Sequence, residues 1–98
     1  MSKPLFVTAK FRIKTEKLSE ANALMQNLMT QTLQNEENCI SYIYLKNNVL
    51  ENEFTSFEVW KDAEAEAQHW ETVHIAEALK QLPEMLETEP EITKWNRI

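Results

Sequence analysis

Glycine is absent from this 98-residue chain, where about 7% would be usual. That removes both common nucleotide cradles, the dinucleotide fingerprint and the P-loop, because each needs glycine where backbone meets phosphate. Turns must rest on other residues, and Asn38, Asn47 and Asn48 are the natural substitutes, since asparagine tolerates the left-handed region best. Cysteine occurs once, as Cys39, so no disulfide can form within the chain and a reducing, cytoplasmic home is expected. No apolar run reaches the roughly 18 residues that a membrane-spanning helix needs. The opening stretch, MSKPLFVTAKF, lacks the apolar core and cleavage site of a secretory signal. Positive charge is also scarce: 10 basic residues stand against 16 acidic ones, a net charge of -6. Nucleic acid is therefore excluded as the main partner, because phosphate neutralisation needs a clustered basic surface.

What is present is a regular alternation of strand and helix patterns. Across residues 5–14, Val7, Ala9, Phe11 and Ile13 alternate with Thr8, Lys10, Arg12 and Lys14, the period of a half-buried strand. An amphipathic helix follows from Thr15 or Glu16 to about Gln34, with Leu18, Ala21, Leu24, Met25, Leu28 and Leu33 at helical spacing. Residues 39–46 (CISYIYLK) and 54–60 (FTSFEVW) read as two strands joined by a loose polar hairpin. Asp62 is placed to cap a short helix running to about Trp70, whose Ala63, Ala65 and Ala67 would let it lie close to a sheet. Thr72 could cap a further helix through Leu82, which Pro83 stops or kinks. Residues 92–98 give a fourth strand. The order βαββαβ predicts a ferredoxin-like α+β fold with an antiparallel sheet. Length and the lack of repeats or linkers predict one domain over residues 1–98.

That sheet has too little cover. Tyr42 and Tyr44 share one face of the second strand with Ile43 and Leu45 opposite. On the third strand Phe57 and Val59 oppose Phe54, Ser56, Glu58 and Trp60. A sheet apolar on both faces must be covered twice, and the helices suffice for one face. A domain this small also buries only about 60% of its unfolded surface. The simplest second cover is the sheet of an identical chain, a two-fold homodimer.

Between Phe54 and His74 stand residues that a small core does not require: Glu58, Trp60, His69 and His74. These could give a compact domain a pocket with polar groups in it. The same segment resembles the antibiotic biosynthesis monooxygenase family, whose F-x-x-x-E-x-W strand, cap, short helix with histidine and second histidine it matches. The run Glu36-Glu37-Asn38-Cys39-Ile40-Ser41-Tyr42 resembles the family's E-x-G-C-x-x-Y entry to the second strand, with Asn38 in place of glycine. With the opening strand and helix, the resemblance covers nearly the whole chain. It implies a dimeric α+β barrel with a pocket between helices and sheet in each subunit. Relatives oxidise quinols or polyketide phenols with molecular oxygen, degrade haem, or process a small signalling molecule. The layout looks nearest to the bacterial quinol-oxidising members. The first strand has no asparagine of the kind important in haem-degrading relatives, and Ser56 stands where some polyketide-oxidising relatives carry one.

The resemblance thus implies a cofactor-free monooxygenase, with no metal and no organic cofactor, acting on a small aromatic substrate and molecular oxygen. Such a site must hold a deprotonated phenol out of water. His69 or His74 would be the base, because histidine titrates near working pH. Glu58 would orient a histidine or accept a proton, Trp60 would stack on the ring, and Tyr42 would hydrogen-bond the substrate oxygen. Plain structural roles compete with these. Trp60 can be core, Glu58 can pair with Lys10 or Arg12 across the sheet, and Cys39 can be a small buried hydrophobe. His69 and His74, five apart, fall off a common face on one continuous helix and make a poor metal pair, with no third ligand in view. The alternative functions are a signal-molecule-processing enzyme of the same superfamily and a non-catalytic small-molecule-binding or stress-associated dimeric domain.

Overall fold

The computed structural model describes residues 3–98. Strand β1 (Leu5–Arg12) leads through one 3-10 turn (Thr15–Lys17) into helix α1 (Leu18–Asn35). Strands β2 (Cys39–Lys46) and β3 (Glu53–Trp60) follow, then helices α2 (Ala63–His69) and α3 (Val73–Gln81), a 3-10 turn (Leu82–Glu84) and strand β4 (Glu91–Trp95). The sheet order is β2-β3-β1-β4 and all neighbours are antiparallel. This is the ferredoxin-like α+β arrangement that the sequence predicts.

The strand period decides which side meets the helices. Val7 and Phe11 on β1, Tyr42 on β2, and Phe54, Ser56, Glu58 and Trp60 on β3 are all buried on the inner face. Helix α1 covers them with Ala21, Leu24, Met25, Leu28 and Thr32. Leu33, expected in that stripe, is exposed. A step of four from Leu28 stays on the buried line, so Thr32 takes the inward position and Leu33 rotates off it.

Helix α2 departs from expectation in a similar way. Its buried residues are Ala65, Glu66 and His69, while Ala63 and Ala67 face solvent. One alanine, not three, makes the close approach. Glu66 is buried because it has two donors: Trp70 Nε1 at 2.6 Å and Lys94 Nζ on β4 at 3.1 Å. That contact ties the edge strand to the helix layer.

The turns dispense with the left-handed region. Among the described residues none has positive φ, so the expectation that Asn38, Asn47 and Asn48 take it is corrected. In the β2–β3 connection Asn47 Oδ1 instead accepts from the backbone N–H of Val49 and Leu50, at 2.8 and 3.0 Å, and that side chain turns the chain.

The outer face of the sheet is bare. Ile43, Leu45, Phe57 and Trp95 are exposed there, and Phe6 meets Phe57 edge-on at 6.4 Å. Lys10 and Arg12 also lie outside, alternating with buried Phe11. They pair with Glu91 and Glu53, at 3.4 and 3.3 Å. Neither reaches Glu58, which is on the opposite face, so the expected ion pair across the sheet does not form. Among the described residues no helix is long and apolar enough to cross a membrane.

Candidate active site

The break between α2 and α3 builds the site. Asp62 starts α2 by accepting from Ala65 N–H at 2.9 Å, and the helix ends at His69. Thr72 then spans the joint: its hydroxyl donates to the His69 carbonyl at 2.8 Å and accepts from Ile75 N–H at 3.5 Å, opening α3. The five residues from His69 to His74 therefore do not lie on one helix. The turn folds the two rings towards each other, with centroids 5.8 Å apart.

Glu36 lies between them. It caps the C-terminus of α1, with its N–H on the Thr32 carbonyl at 3.0 Å. A single oxygen, Glu36 Oε2, is 2.6 Å from His69 Nδ1 and 2.6 Å from His74 Nε2. The side chains are almost out of water, 2% exposed for His69 and 10% for His74 and Glu36. The expectation that the two histidines stay apart and lack a third partner is thus overturned.

The three residues present ligating atoms within 4.8 Å of one another, so their fit to a metal can be tested. Around tetrahedral zinc, bonds of about 2.0–2.1 Å place neighbouring donors roughly 3.3 Å apart. The two contacts at 2.6 Å are shorter and have the length of charge-assisted hydrogen bonds. The set reads as a hydrogen-bonded triad rather than a metal shell.

His69 faces two ways. Nδ1 is committed to Glu36, which leaves Nε2 for anything bound on the other side of the ring. On that side is a mainly apolar cavity of about 80 Å³ between the sheet and the helices, whose wall includes His69, Tyr42, Tyr44, Glu58, Trp70 and Ile92. That space is of the order needed for one aromatic ring. The hydroxyls of Tyr42 and Tyr44 are 3.0 Å apart. Burial pushes the Tyr44 phenol up to about 12, and burial pushes Tyr42 higher still. Both remain neutral donors at working pH.

Glu58 is the carboxylate of this wall. It accepts from Ser56 Oγ at 2.6 Å and from Trp60 Nε1 at 3.1 Å. Burial raises its pKa above the usual carboxylate value, while those two hydrogen bonds and nearby His69 oppose the rise. Trp60 has no exposure and is not on the cavity wall. It packs against His69 at 4.7 Å between ring centroids and against Tyr42 at 6.2 Å. Its expected place, stacked on a bound ring, is corrected: it backs the histidine, because the inward turn of β3 buries it beneath α2. Trp70, its indole held by Glu66, is the tryptophan on the cavity wall. His74 is not on that wall either. It opens to a wider groove of about 590 Å³ between α1 and α3, shared with Asn27, Gln31, Glu36 and Glu77.

Cys39, expected to be buried, is half-buried with its thiol on the Ser41 carbonyl at 3.4 Å. Burial, then the charges of Glu36 and Glu58, push that thiol up to about 12.

The family model for antibiotic biosynthesis monooxygenase matches residues 4–81. The chain belongs to that family. A conserved protein from Methanosarcina mazei Go1 superposes with a TM-score of 0.93 at 32% identity, covering 98% of this chain and 94% of the other. The structure of Rv0793 from Mycobacterium tuberculosis gives 0.90 at 24%, covering 97% and 95%, a likeness of fold. The uncharacterized protein sll1783 of Synechocystis is 30% identical over 89 residues. The match takes in 91% of this chain but only 60% of sll1783. Family membership supports a general monooxygenase-type role on a small molecule.

Two parts of this cluster carry no local signal in the sequence. Glu36 stands in the motif run that enters the second strand, far in sequence from both histidines. Its signal is non-local, a carboxylate at a helix C-terminus beside two histidines from another part of the chain. Trp70 stands at a helix end, and no local pattern distinguishes it from Trp60.

Proposed function

We propose that this chain oxidises a quinol or related aromatic phenol with molecular oxygen, without metal or organic cofactor. The observation that carries the reading is His69 on the wall of an apolar cavity, its Nδ1 held by Glu36 and its Nε2 free to act. His69 Nε2 takes the phenol proton, Glu36 supports the imidazolium that forms, and the paired tyrosine hydroxyls hold the substrate oxygen. The electron-rich anion then supplies the electrons that oxygen needs. One quinol and one O2 give one hydroxyquinone and one water, a balance that calls for no external reductant. Glu58, with its raised pKa, contributes polarity on the cavity wall, and Trp70 offers a flat surface to the ring.

In this reading the bare outer face, with Ile43, Leu45, Phe57 and Trp95 exposed, pairs with the same face of a second copy. The setting is the cytoplasm, with Cys39 as a free thiol.

The test is oxygen uptake by metal-stripped protein with a panel of reduced quinones, net of the uncatalysed rate. Uptake lost in His69→Ala supports the reading. No uptake across the panel overturns it. The groove beside His74, where Asn27, Gln31 and Gln81 offer amide groups, then favours binding or processing of a small oxygenated molecule there.

A further inference from the structure

The acid that the base collects must go somewhere, and His69 is 2% exposed. On the cavity side its neighbours are the tyrosine pair and Glu58, and Trp60 seals it behind. A polar path leads from Nδ1 to Glu36, and from Glu36 to His74, which borders the open groove. Two contacts of 2.6 Å in series, sharing one carboxylate oxygen, connect the buried His69 to the groove.

We propose that Glu36 and His74 form a proton relay that carries the substrate proton from His69 to the groove. This rests on the oxygenase reading above. In the resting triad one proton lies between His69 Nδ1 and Glu36 Oε2, a second between Oε2 and His74 Nε2, and His74 Nδ1 carries a third. The substrate O–H breaks and a bond forms at His69 Nε2. The Nδ1 proton shifts to Glu36, and the proton between Glu36 and His74 settles on His74 Nε2. His74 Nδ1 then releases its own proton to water in the groove. One proton enters, one leaves, no electrons move, and the triad carries the same charge before and after.

Other titratable groups surround this path. Glu58 from β3 and Tyr42 from β2 face His69. Cys39 at the start of β2 feels Glu36. Glu71 and Glu77 border the groove beside His74. The two groove carboxylates set a negative field at the exit, which favours arrival of a proton there.

His74 acts through Glu36 and His69, so it is a positioning and proton-release residue rather than a catalytic one. The experiment uses the full chain with His74→Asn, Glu36→Gln and a control, Lys80→Ala, on the exposed side of α3. Circular dichroism checks that each is folded. His74→Asn is expected to lower kcat by at least about tenfold, with KM within about twofold and activity restored by added imidazole. Glu36→Gln is expected to lower kcat without imidazole rescue, because the break then lies inside the wall. Unchanged kcat in His74→Asn, or a loss that buffer does not repair, overturns the relay.

A second readout does not depend on turnover. Nitrogen-15 NMR of the imidazoles is expected to show His69 protonated at Nδ1 and bare at Nε2, and that preference lost in Glu36→Gln. A mixed tautomer in the unmutated protein overturns the relay. If the unmutated protein takes up no oxygen, the oxygenase reading fails, and the NMR result alone decides whether the hydrogen-bonded path exists.

Discussion

Replacing Glu36 separates its two contributions, charge and hydrogen bonding. The carboxylate accepts from two ring N–H groups, one 2% and one 10% exposed. A charged hydrogen bond contributes about 1.5–3 kcal/mol and a neutral one about 0.5–1.5. Glu36→Gln keeps an oxygen on the shared point and exchanges two charged bonds for two neutral ones, a loss of about 2 kcal/mol. Glu36→Ala leaves both N–H groups without a partner, at about 1–3 kcal/mol each. Water can reach His74 and recover part of its share, which puts the alanine variant near 4 kcal/mol. For a chain of this size 1 kcal/mol moves the melting temperature by about 4–8 °C. The expected losses are therefore about 10 °C for Gln and about 15–30 °C for Ala. Thermal and urea unfolding by circular dichroism, at one protein concentration because chain pairing would shift both midpoints, measures this. An alanine variant melting within about 4 °C of the parent would refute the buried triad, as would a glutamine variant less stable than alanine.

Three further outcomes follow from groups described above. Thr32 is fully buried and its hydroxyl has no hydrogen-bond partner among the described residues, so Thr32→Val is expected to gain about 1 kcal/mol in urea unfolding. Glu58 has a raised pKa, so its stabilisation is complete below the usual carboxylate value of 4.5 and is lost as pH rises through the folded value. Glu58→Gln is expected to flatten that slope, gaining on the parent from pH 4.5 upwards, as urea midpoints across the range would record. Cys39, with its thiol pushed up to about 12, is expected to react with iodoacetamide at pH 8 at least about a hundredfold more slowly in the native protein than in urea.

The fold was legible because its signals are local and periodic. Alternation in β1, the β-branched and aromatic run of β2, and the Asp62 and Thr72 caps each act within a few residues, and each fell in its place. Faces were legible too, since Glu58 and Trp60 share the buried side of β3 as alternation requires. The site was only partly legible. Which tryptophan meets the cavity depends on how α2 lies over the sheet, so Trp60 and Trp70 could not be told apart by local pattern. The convergence of His69 and His74 depends on a three-residue turn that the helical period alone does not reveal. Glu36 joins them from more than thirty positions away, and contacts over that distance leave no periodic trace. The left-handed turns expected of Asn47 failed for a different reason: an asparagine side chain can shape a turn by accepting backbone N–H groups without taking positive φ itself.

Because no described residue has positive φ, no described position requires the freedom that only glycine supplies. The consequence falls on the denatured chain. A protein of this length usually carries roughly seven glycines, and each one replaced at a compatible position narrows the unfolded ensemble by about 0.4–1 kcal/mol. Folding here starts from a chain with about 3–7 kcal/mol less disorder to surrender. That margin offsets part of what a buried triad, a protonatable Glu58 and an apolar cavity cost a small core.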